Sequence, residues 1–173
     1  MKDVNVKLTF YEIYMGANVG VARRLASMKR GETNKVQNKD FGWHTDIESA
    51  CAEVVVAKYL NIFWDGSINT FKLPDVGEFQ VKHTQYENGS LLLRKEHNPS
   101  YSYILVTGTH PDYVIRGYLA GSEGMKDEYL SNPNNTKDGE AFFVPQSKLK
   151  DISDLKKSAP REQNSECRYP GKE

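Results

Sequence analysis

The order of patterned segments limits the fold of this chain more than any other feature. One amphipathic helix is predicted over residues 46–60, and a series of short strand-like runs follows it as far as Val144. Thr45, with Glu48 three residues later, has the capping-box pattern that opens a helix. A helix followed by several short strands predicts a single α+β domain with a mixed sheet.

The strand candidates are apolar or alternating runs separated by turn residues. They are Asn69–Leu73, Glu78–Thr84, Leu91–Arg94, Tyr101–Thr107, Tyr113–Leu119 and Ala141–Val144. Between two of them, Asn88-Gly89 is a dipeptide typical of a two-residue β-hairpin turn. The sequence therefore predicts a hairpin at this point.

The part of the chain before residue 43 is predicted to form a strand and a basic helix. Residues Val4–Tyr14 alternate polar and apolar side chains, as an early strand does. From Ala17 to Met28 apolar residues recur at helical spacing, and Gly31 is a suitable helix stop. The polar stretch Glu32–Gly42 is predicted to be a mobile connection, and residues 132–139 have loop composition.

Length and composition indicate one soluble domain. The 173 residues are 38% hydrophobic and 27% charged, as in an ordinary soluble protein. No apolar run approaches the roughly 20 residues of a membrane-spanning helix, and the N-terminus has no secretory pattern. Two distant cysteines, Cys51 and Cys167, favour a reducing compartment. We predict a cytoplasmic protein with one domain over residues 1–155, divided into 1–42 and a core over 43–155, and a flexible polar tail over 156–173.

The charge pattern permits nucleic-acid binding without demanding it. The formal net charge is zero. Between residues 21 and 40, however, basic side chains outnumber acidic ones, and they are Arg23, Arg24, Lys29, Arg30, Lys35 and Lys39. This local surplus could neutralise a few phosphates, or it could be the solvated face of one helix.

Polar side chains gather on one face of the strand candidate that begins at Glu78. Because neighbouring residues of a strand point to opposite faces, Glu78, Gln80 and Lys82 share a side, and Asp75 precedes them. Magnesium ions are held by one or two carboxylates and activate water against phosphodiesters, while a nearby lysine can stabilise developing charge. The same alternation is also typical of a half-solvated sheet.

One more carboxylate lies in an unusual place. On a helical wheel Glu53 falls at the margin of the apolar stripe of the predicted helix. A carboxylate that leans into the core is costly unless it is paired or bound to a cation, although a surface salt bridge is equally compatible with the position. Glu48 is assigned to the capping box, and Cys51 is assigned to the inert core.

The order of these residues resembles that of the PD-(D/E)XK nuclease superfamily. The matching residues are Ala52-Glu53 on the helix, Pro74-Asp75, and Gln80-Val81-Lys82 on the following strand. The resemblance extends over residues 43–155, and the chain is similar in particular to small phage-type members of the superfamily. It implies an α/β/α-like, restriction-endonuclease-like core in which helices flank a central mixed β-sheet.

The resemblance also implies a function and a set of roles. Glu53, Asp75 and Gln80 would surround Mg²⁺ or Mn²⁺, and Lys82 would assist the water nucleophile in hydrolysing DNA. Gln80 stands where the superfamily usually has an acidic residue, which implies either weaker metal affinity or a substitute role for Glu78. A catalytically inactive module that binds nucleic acid or a protein partner is the alternative.

Further expectations concern partners and the remaining basic side chains. DNA is the expected substrate, in the host cytoplasm if the chain is phage-encoded, with no membrane partner. A homodimer is possible, because cutting a duplex needs two active sites. Arg23, Arg24 and Arg94 are candidates for phosphate contacts, the last together with His97. The histidines lack metal-ligand spacing and are predicted to be polar surface or turn residues: His44, His83, His97 and His110.

Overall fold

A computed structural model describes residues 3–31, 39–68, 73–133 and 139–158. The helices are α1 (Phe10–Lys29), α2 (Lys39–Leu60), α3 (Gly121–Gly124) and α4 (Ser153–Ser158). The strands are β1 (Val4–Lys7), β2 (Phe79–Thr84), β3 (Leu91–Leu93), β4 (Ser102–Thr109), β5 (Asp112–Ala120), β6 (Leu130–Ser131) and β7 (Ala141–Val144). Two short 3₁₀ turns occupy Asp127–Tyr129 and Gln146–Lys148.

The strands form two sheets. The larger has the order β1-β5-β4-β2, with β2 parallel to β4 and the other pairs antiparallel. The smaller has the order β3-β7-β6 and is antiparallel throughout. The prediction of an α+β fold with a mixed sheet is thereby confirmed, and helices flank that sheet.

The predicted hairpin at Asn88-Gly89 is wrong. A tight turn does form, because the Gly89 N–H donates to the Tyr86 carbonyl at 3.0 Å. The strands on either side of it do not pair, since β2 joins β4 and β3 joins β7. Turn chemistry acts over a few residues, whereas burial of Leu91 and Leu93 in the second sheet's core decides which strand β3 joins.

Each face of the larger sheet has its own core. Alternate residues of β4 point to opposite sides, with Ile104 and Val106 toward α2 and Tyr103 and Leu105 toward the smaller sheet. The core on the α2 side also receives Ile152 from the segment before α4. Within the described ranges, no helix combines the length and apolar character needed to cross a bilayer.

The N-terminal region departs from the predicted boundaries. The strand ends at Lys7, and α1 begins at Phe10 because Thr9 and Glu12 form a capping box, with Thr9 N–H to Glu12 Oε2 at 2.7 Å. The strand predicted as far as Tyr14 was therefore wrong, because a capping signal took precedence over alternation. Gly31, with φ at 69°, follows the helix end as predicted.

The capping box predicted at Thr45 and Glu48 is also wrong. Helix α2 begins at Lys39, so both residues lie inside it, and Glu48 is completely buried. The predicted connection over residues 32–42 is therefore helical in its last part, while residues 32–38 lie outside the described residues.

Several other predicted segments fall partly outside the described residues. Of the strand predicted over 69–73, only Leu73 is described, and it lies in a bend. The loop predicted over 132–139 is described except at residues 134–138. The predicted tail contributes residues 156–158 to α4 before the description ends.

Candidate functional site

The side chain of Asp75 binds the backbone of β2, the edge strand of the larger sheet. Strand β2 is an edge strand, and the residues before it fold into a tight turn in which Asp75 N–H donates to the Phe79 carbonyl at 2.9 Å. Gly77 takes φ at 58° in this turn, a conformation that favours glycine. The turn brings Asp75 Oδ2 to 2.8 Å from the Val81 N–H. The carboxylate therefore accepts a hydrogen bond from the edge strand.

Glu53 is buried between α2 and α1. Only 4% of the residue is exposed, and Arg23 of α1 binds it in a bidentate manner, with Nη1–Oε1 at 2.5 Å and Nη2–Oε2 at 2.9 Å. The Trp64 indole N–H donates to Oε2 at 2.9 Å. Arg23 also donates to the Ser67 carbonyl at 2.9 and 3.0 Å. Both oxygens of Glu53 are thus engaged.

The structure brings Glu53, Asp75, Lys82 and Arg23 into one electrostatic neighbourhood. Burial raises the pKa of Asp75, against the opposing effects of the Val81 N–H, Lys82 and Arg23. Burial raises the pKa of Glu53 as well, and the negative charge of Asp75 adds to that shift. Burial lowers the pKa of Lys82, although both carboxylates oppose it. These residues come from α1, α2, the turn before β2, and β2 itself.

Gln80 lies one residue before Val81 and uses its amide nitrogen structurally. Its Nε2 donates to the Leu73 carbonyl at 2.8 Å. Within the described residues, the carbonyl oxygen Oε1 makes no hydrogen bond. Glu78, which the sequence placed on the same strand face, is an exposed turn residue instead. Of these two residues, only Gln80 therefore lies in strand β2.

An aromatic pair lies beside Lys82. Its Nζ is 5.6 Å from the centroid of the Tyr103 ring, and His97 stacks on that ring at 5.6 Å with an interplanar angle of 23°. The Arg94 N–H donates to His97 Nδ1 at 3.0 Å, so a neutral His97 carries its proton on Nε2. Burial, with Lys82 as a second cause, lowers the pKa of His97 to about 4.

The arginines predicted to contact phosphate occupy different environments. Arg23 holds Glu53, as described above. Arg24 is only 7% exposed and lies 3.9 Å from Asp46, and its Nε and Nη1 have no hydrogen-bond partner in the described part of the chain. Arg94 is partly buried beside His97. Phosphate contacts by these three residues stay predictions.

The donors at this site fit a hard cation with few protein ligands. No three His, Cys, Asp or Glu side chains among residues 3–31, 39–68, 73–133 and 139–158 form a metal-ligand set. Magnesium needs only one or two carboxylates, because it keeps several waters. Asp75 Oδ1 and Gln80 Oε1 make no hydrogen bond to the described residues. Arg23 binds both oxygens of Glu53, so this carboxylate is less available to a cation than Asp75 is.

A second buried carboxylate was missed by the sequence reasoning. Glu48 accepts hydrogen bonds from the Tyr113 hydroxyl at 2.6 Å and the His110 N–H at 3.2 Å, and His110 Nδ1 lies at 2.5 Å. The sequence did contain a sign of this burial. Glu48 lies three residues before Cys51 and seven before Val55, which places it on the same buried face of the helix. The prediction that His110 is simply a polar turn residue omitted this contact.

Comparison of the chain with protein-family models, with curated proteins and with solved structures found no match.

Proposed function

We propose that this protein is a metal-dependent nuclease that hydrolyses DNA phosphodiester bonds, with a site of the PD-(D/E)XK type. One observation carries the proposal: the buried Glu53 and the half-buried Asp75 and Lys82 lie within electrostatic reach of one another, with both carboxyl pKa values raised and the lysine pKa lowered. Ionisable groups whose burial opposes their charged forms are concentrated at functional sites, although structural ion-pair networks also show such shifts. A bound cation would stabilise both carboxylates in their charged forms.

Asp75 and Gln80 are the residues that would hold the cation. Mg²⁺ or Mn²⁺ would supply neutralisation of the scissile phosphate and activation of water. Asp75 is fixed for this role by the Val81 N–H, and Gln80 is fixed by its bond to the Leu73 carbonyl. Each residue then has one oxygen left to bind a cation.

Lys82 would act on the water and on the developing charge. Its ammonium group lies within the electrostatic reach of Asp75 and Glu53. A lysine with a lowered pKa gives up a proton more readily than an exposed one, and it can still donate hydrogen bonds to a phosphate oxygen. Lys82 therefore combines water positioning with charge stabilisation.

The Arg23–Glu53 pair favours a second candidate function, a catalytically silent module that binds nucleic acid or a protein. The guanidinium occupies both oxygens of the carboxylate that the superfamily uses for metal. Gln80 is neutral and Glu53 is paired with Arg23. Of the three residues expected to bind the metal, Asp75 is therefore the one carboxylate that is not bound by a cationic side chain. The two candidates differ in metal binding and in cleavage, which can be measured separately.

The test combines Mn²⁺ titration calorimetry with cleavage of plasmid, linear duplex and single-stranded DNA in Mg²⁺ or Mn²⁺. Asp75→Asn is expected to abolish Mn²⁺ binding and cleavage, and Lys82→Ala to slow cleavage by about 100-fold while Mn²⁺ still binds. Asp127→Asn and Lys148→Ala, both at exposed positions, are the matched controls. Cleavage unchanged in both site variants would show that the site is wrong. No cleavage and no Mn²⁺ binding by the wild-type protein would favour the silent module.

A further inference from the structure

Helix α1 is attached to the protein through its smallest side chains. Gly16 and Gly20 face α2 so closely that a Cβ would lie 2.7 Å from Cys51 Sγ and 2.6 Å from Ile47 Cα, respectively. Both glycines are buried, as is Arg24 one turn later. Most of the large apolar residues of the helix therefore point away from the domain, whereas Ile13 packs against the core.

The outward face of α1 is apolar over almost its whole length. Seven large residues are exposed, at 74% for Phe10, 76% for Tyr11, 60% for Tyr14, 50% for Met15, 36% for Val21, 54% for Leu25 and 54% for Met28. At about 100° per residue, five of them fall within an arc of roughly 60°; these are Phe10, Tyr14, Val21, Leu25 and Met28. Surface helices of a globular protein normally present polar residues on this side.

The charges of α1 lie elsewhere. Glu12 pairs with Lys58, Arg23 with Glu53, and Arg24 lies near Asp46, all within the same molecule. The outward face of α1 carries no charged residue before Lys29, which lies at the end of the helix. Depletion of charge at the centre of an apolar surface is a compositional mark of protein interfaces.

The exposed area has the size of a specific interface. An aromatic side chain has a surface of about 150–250 Å². At their exposed fractions, Phe10, Tyr11 and Tyr14 together therefore expose roughly 300–500 Å² to solvent. That already equals the largest patch of a typical monomer, about 300–600 Å². With the exposed aliphatic side chains of the same face, the area approaches the roughly 800 Å² per partner of a standard interface.

The arrangement of side-chain sizes along α1 is self-complementary. The aromatic residues lie at the N-terminal end, Leu25 and Met28 lie at the C-terminal end, and the middle has the smaller Ala17, Asn18, Val21 and Ala22. In an antiparallel pair of helices the small middle would cross itself and permit a close approach. The aromatic end of each copy would then cover the leucine and methionine of the other, with favourable sulfur–aromatic contacts.

From these observations we propose that the outward face of α1 is the interface of a homodimer, in which two copies pack α1 against α1 antiparallel about a twofold axis. Such an interface is isologous, because each copy contributes the same patch. The inference rests on helix α1 alone and does not depend on the nuclease proposal.

The first test is sedimentation equilibrium of the full chain over a wide concentration range. The wild-type protein is expected to sediment at twice its 19.7 kDa monomer mass. Tyr14→Glu is expected to weaken association by about 30-fold or more, as at an interface hot spot. Tyr86→Glu, at a position 67% exposed outside this face, is the matched control and should leave the dimer intact. Circular dichroism would verify that Tyr14→Glu remains folded.

Cysteine cross-linking in a Cys167→Ser background tests the orientation. Asn18→Cys lies near the proposed axis and is expected to cross-link to its own copy. Met28→Cys should cross-link only to a Phe10→Cys protein, because Phe10 and Met28 share one side of the helix. A monomeric wild-type chain, or a dimer that withstands Tyr14→Glu, would overturn the proposal. Self-cross-linking of Met28→Cys without that of Asn18→Cys would overturn the antiparallel arrangement.

Discussion

Two carboxylates of helix α2, Glu48 and Glu53, are both buried and are stabilised by different means. Glu53 receives a bidentate arginine and an indole N–H. Glu48 receives a tyrosine hydroxyl and contacts from His110. Buried charge is tolerated only when such partners are complete. Loss of one partner should therefore cost more than loss of an exposed salt bridge.

Arg23→Ala tests this directly, because it leaves the Glu53 carboxylate buried without its cation. We expect the free energy of unfolding at neutral pH to fall by about 2–4 kcal/mol, measured by urea denaturation. The loss should shrink at acidic pH, because the pKa of Glu53 is already raised and a protonated carboxyl needs no partner. Lys29→Ala, exposed on the same helix, is the control. An equal loss at every pH would contradict this account.

His97 should make the protein less stable as the pH falls. Its pKa is lowered to about 4 in the folded protein, below the unfolded value of about 6.5. Its contribution is therefore complete above pH 6.5 and is lost as the pH falls toward 4. Because the side chain is only half-buried, we expect a loss of about 1 kcal/mol over that interval. His97→Gln should remove this dependence, and NMR titration should place the His97 inflection near pH 4 in the wild-type protein.

At the scale of elements, the α1–α2 contact decides both the position of Arg23 and the exposure of the apolar face. Gly16 and Gly20 let the helix axes approach closely, and Arg23, three residues after Gly20, then reaches Glu53. A larger spacing between the helices would lengthen that ion pair. The glycines thus contribute to the candidate site without touching it.

Gly20→Ala is expected to destabilise the protein although alanine is the better helix former by about 1 kcal/mol. The added Cβ would meet backbone atoms of Ile47 and Asp46, which cannot rotate away. We expect a loss of about 1–3 kcal/mol in thermal or urea unfolding. Asn18→Ala, on the exposed side of the same helix, should change stability far less. A more stable Gly20→Ala protein would show that the helices can separate freely.

At the scale of the whole molecule, the larger sheet separates two cores that are tied together by the end of the described chain. Tyr118 and Lys150 exchange backbone hydrogen bonds at 3.0 and 2.7 Å. Leu149 then enters one core, and Ile152 enters the other. The segment Leu149–Ile152 therefore links both sides of the sheet.

Ile152→Ala should consequently weaken the whole domain rather than one side of it. The side chain is 1% exposed, and a buried Ile→Ala change costs about 2–5 kcal/mol. We expect one cooperative transition, with the same midpoint by tryptophan fluorescence and by circular dichroism. Ile68→Ala, at a position 41% exposed, is the matched control. Two separate transitions would show that the cores unfold independently.

The sequence predicted the strand positions well because burial alternation is local. Five of the six strand candidates correspond to β2, β3, β4, β5 and β7 within a few residues. Turn chemistry misled only where it was used to assign pairing, because the partner of β2 is β4, more than twenty residues away. Pairing is decided by which surfaces bury each other, and a short window of sequence does not contain that information.

What the sequence determined by itself about this protein is the mixed α+β class, the alternation that separates Val81 from Lys82, and the proximity of Asp75 to the strand. These follow from backbone periodicity and from the position of Asp75 a few residues before the strand. Only the tertiary structure decided that Arg23 binds Glu53, that Glu48 is a buried hydrogen-bond acceptor rather than a cap, and that His97 lies beside Lys82. Each of these contacts joins residues far apart in the chain, so burial and charge could be assigned only once the elements had packed.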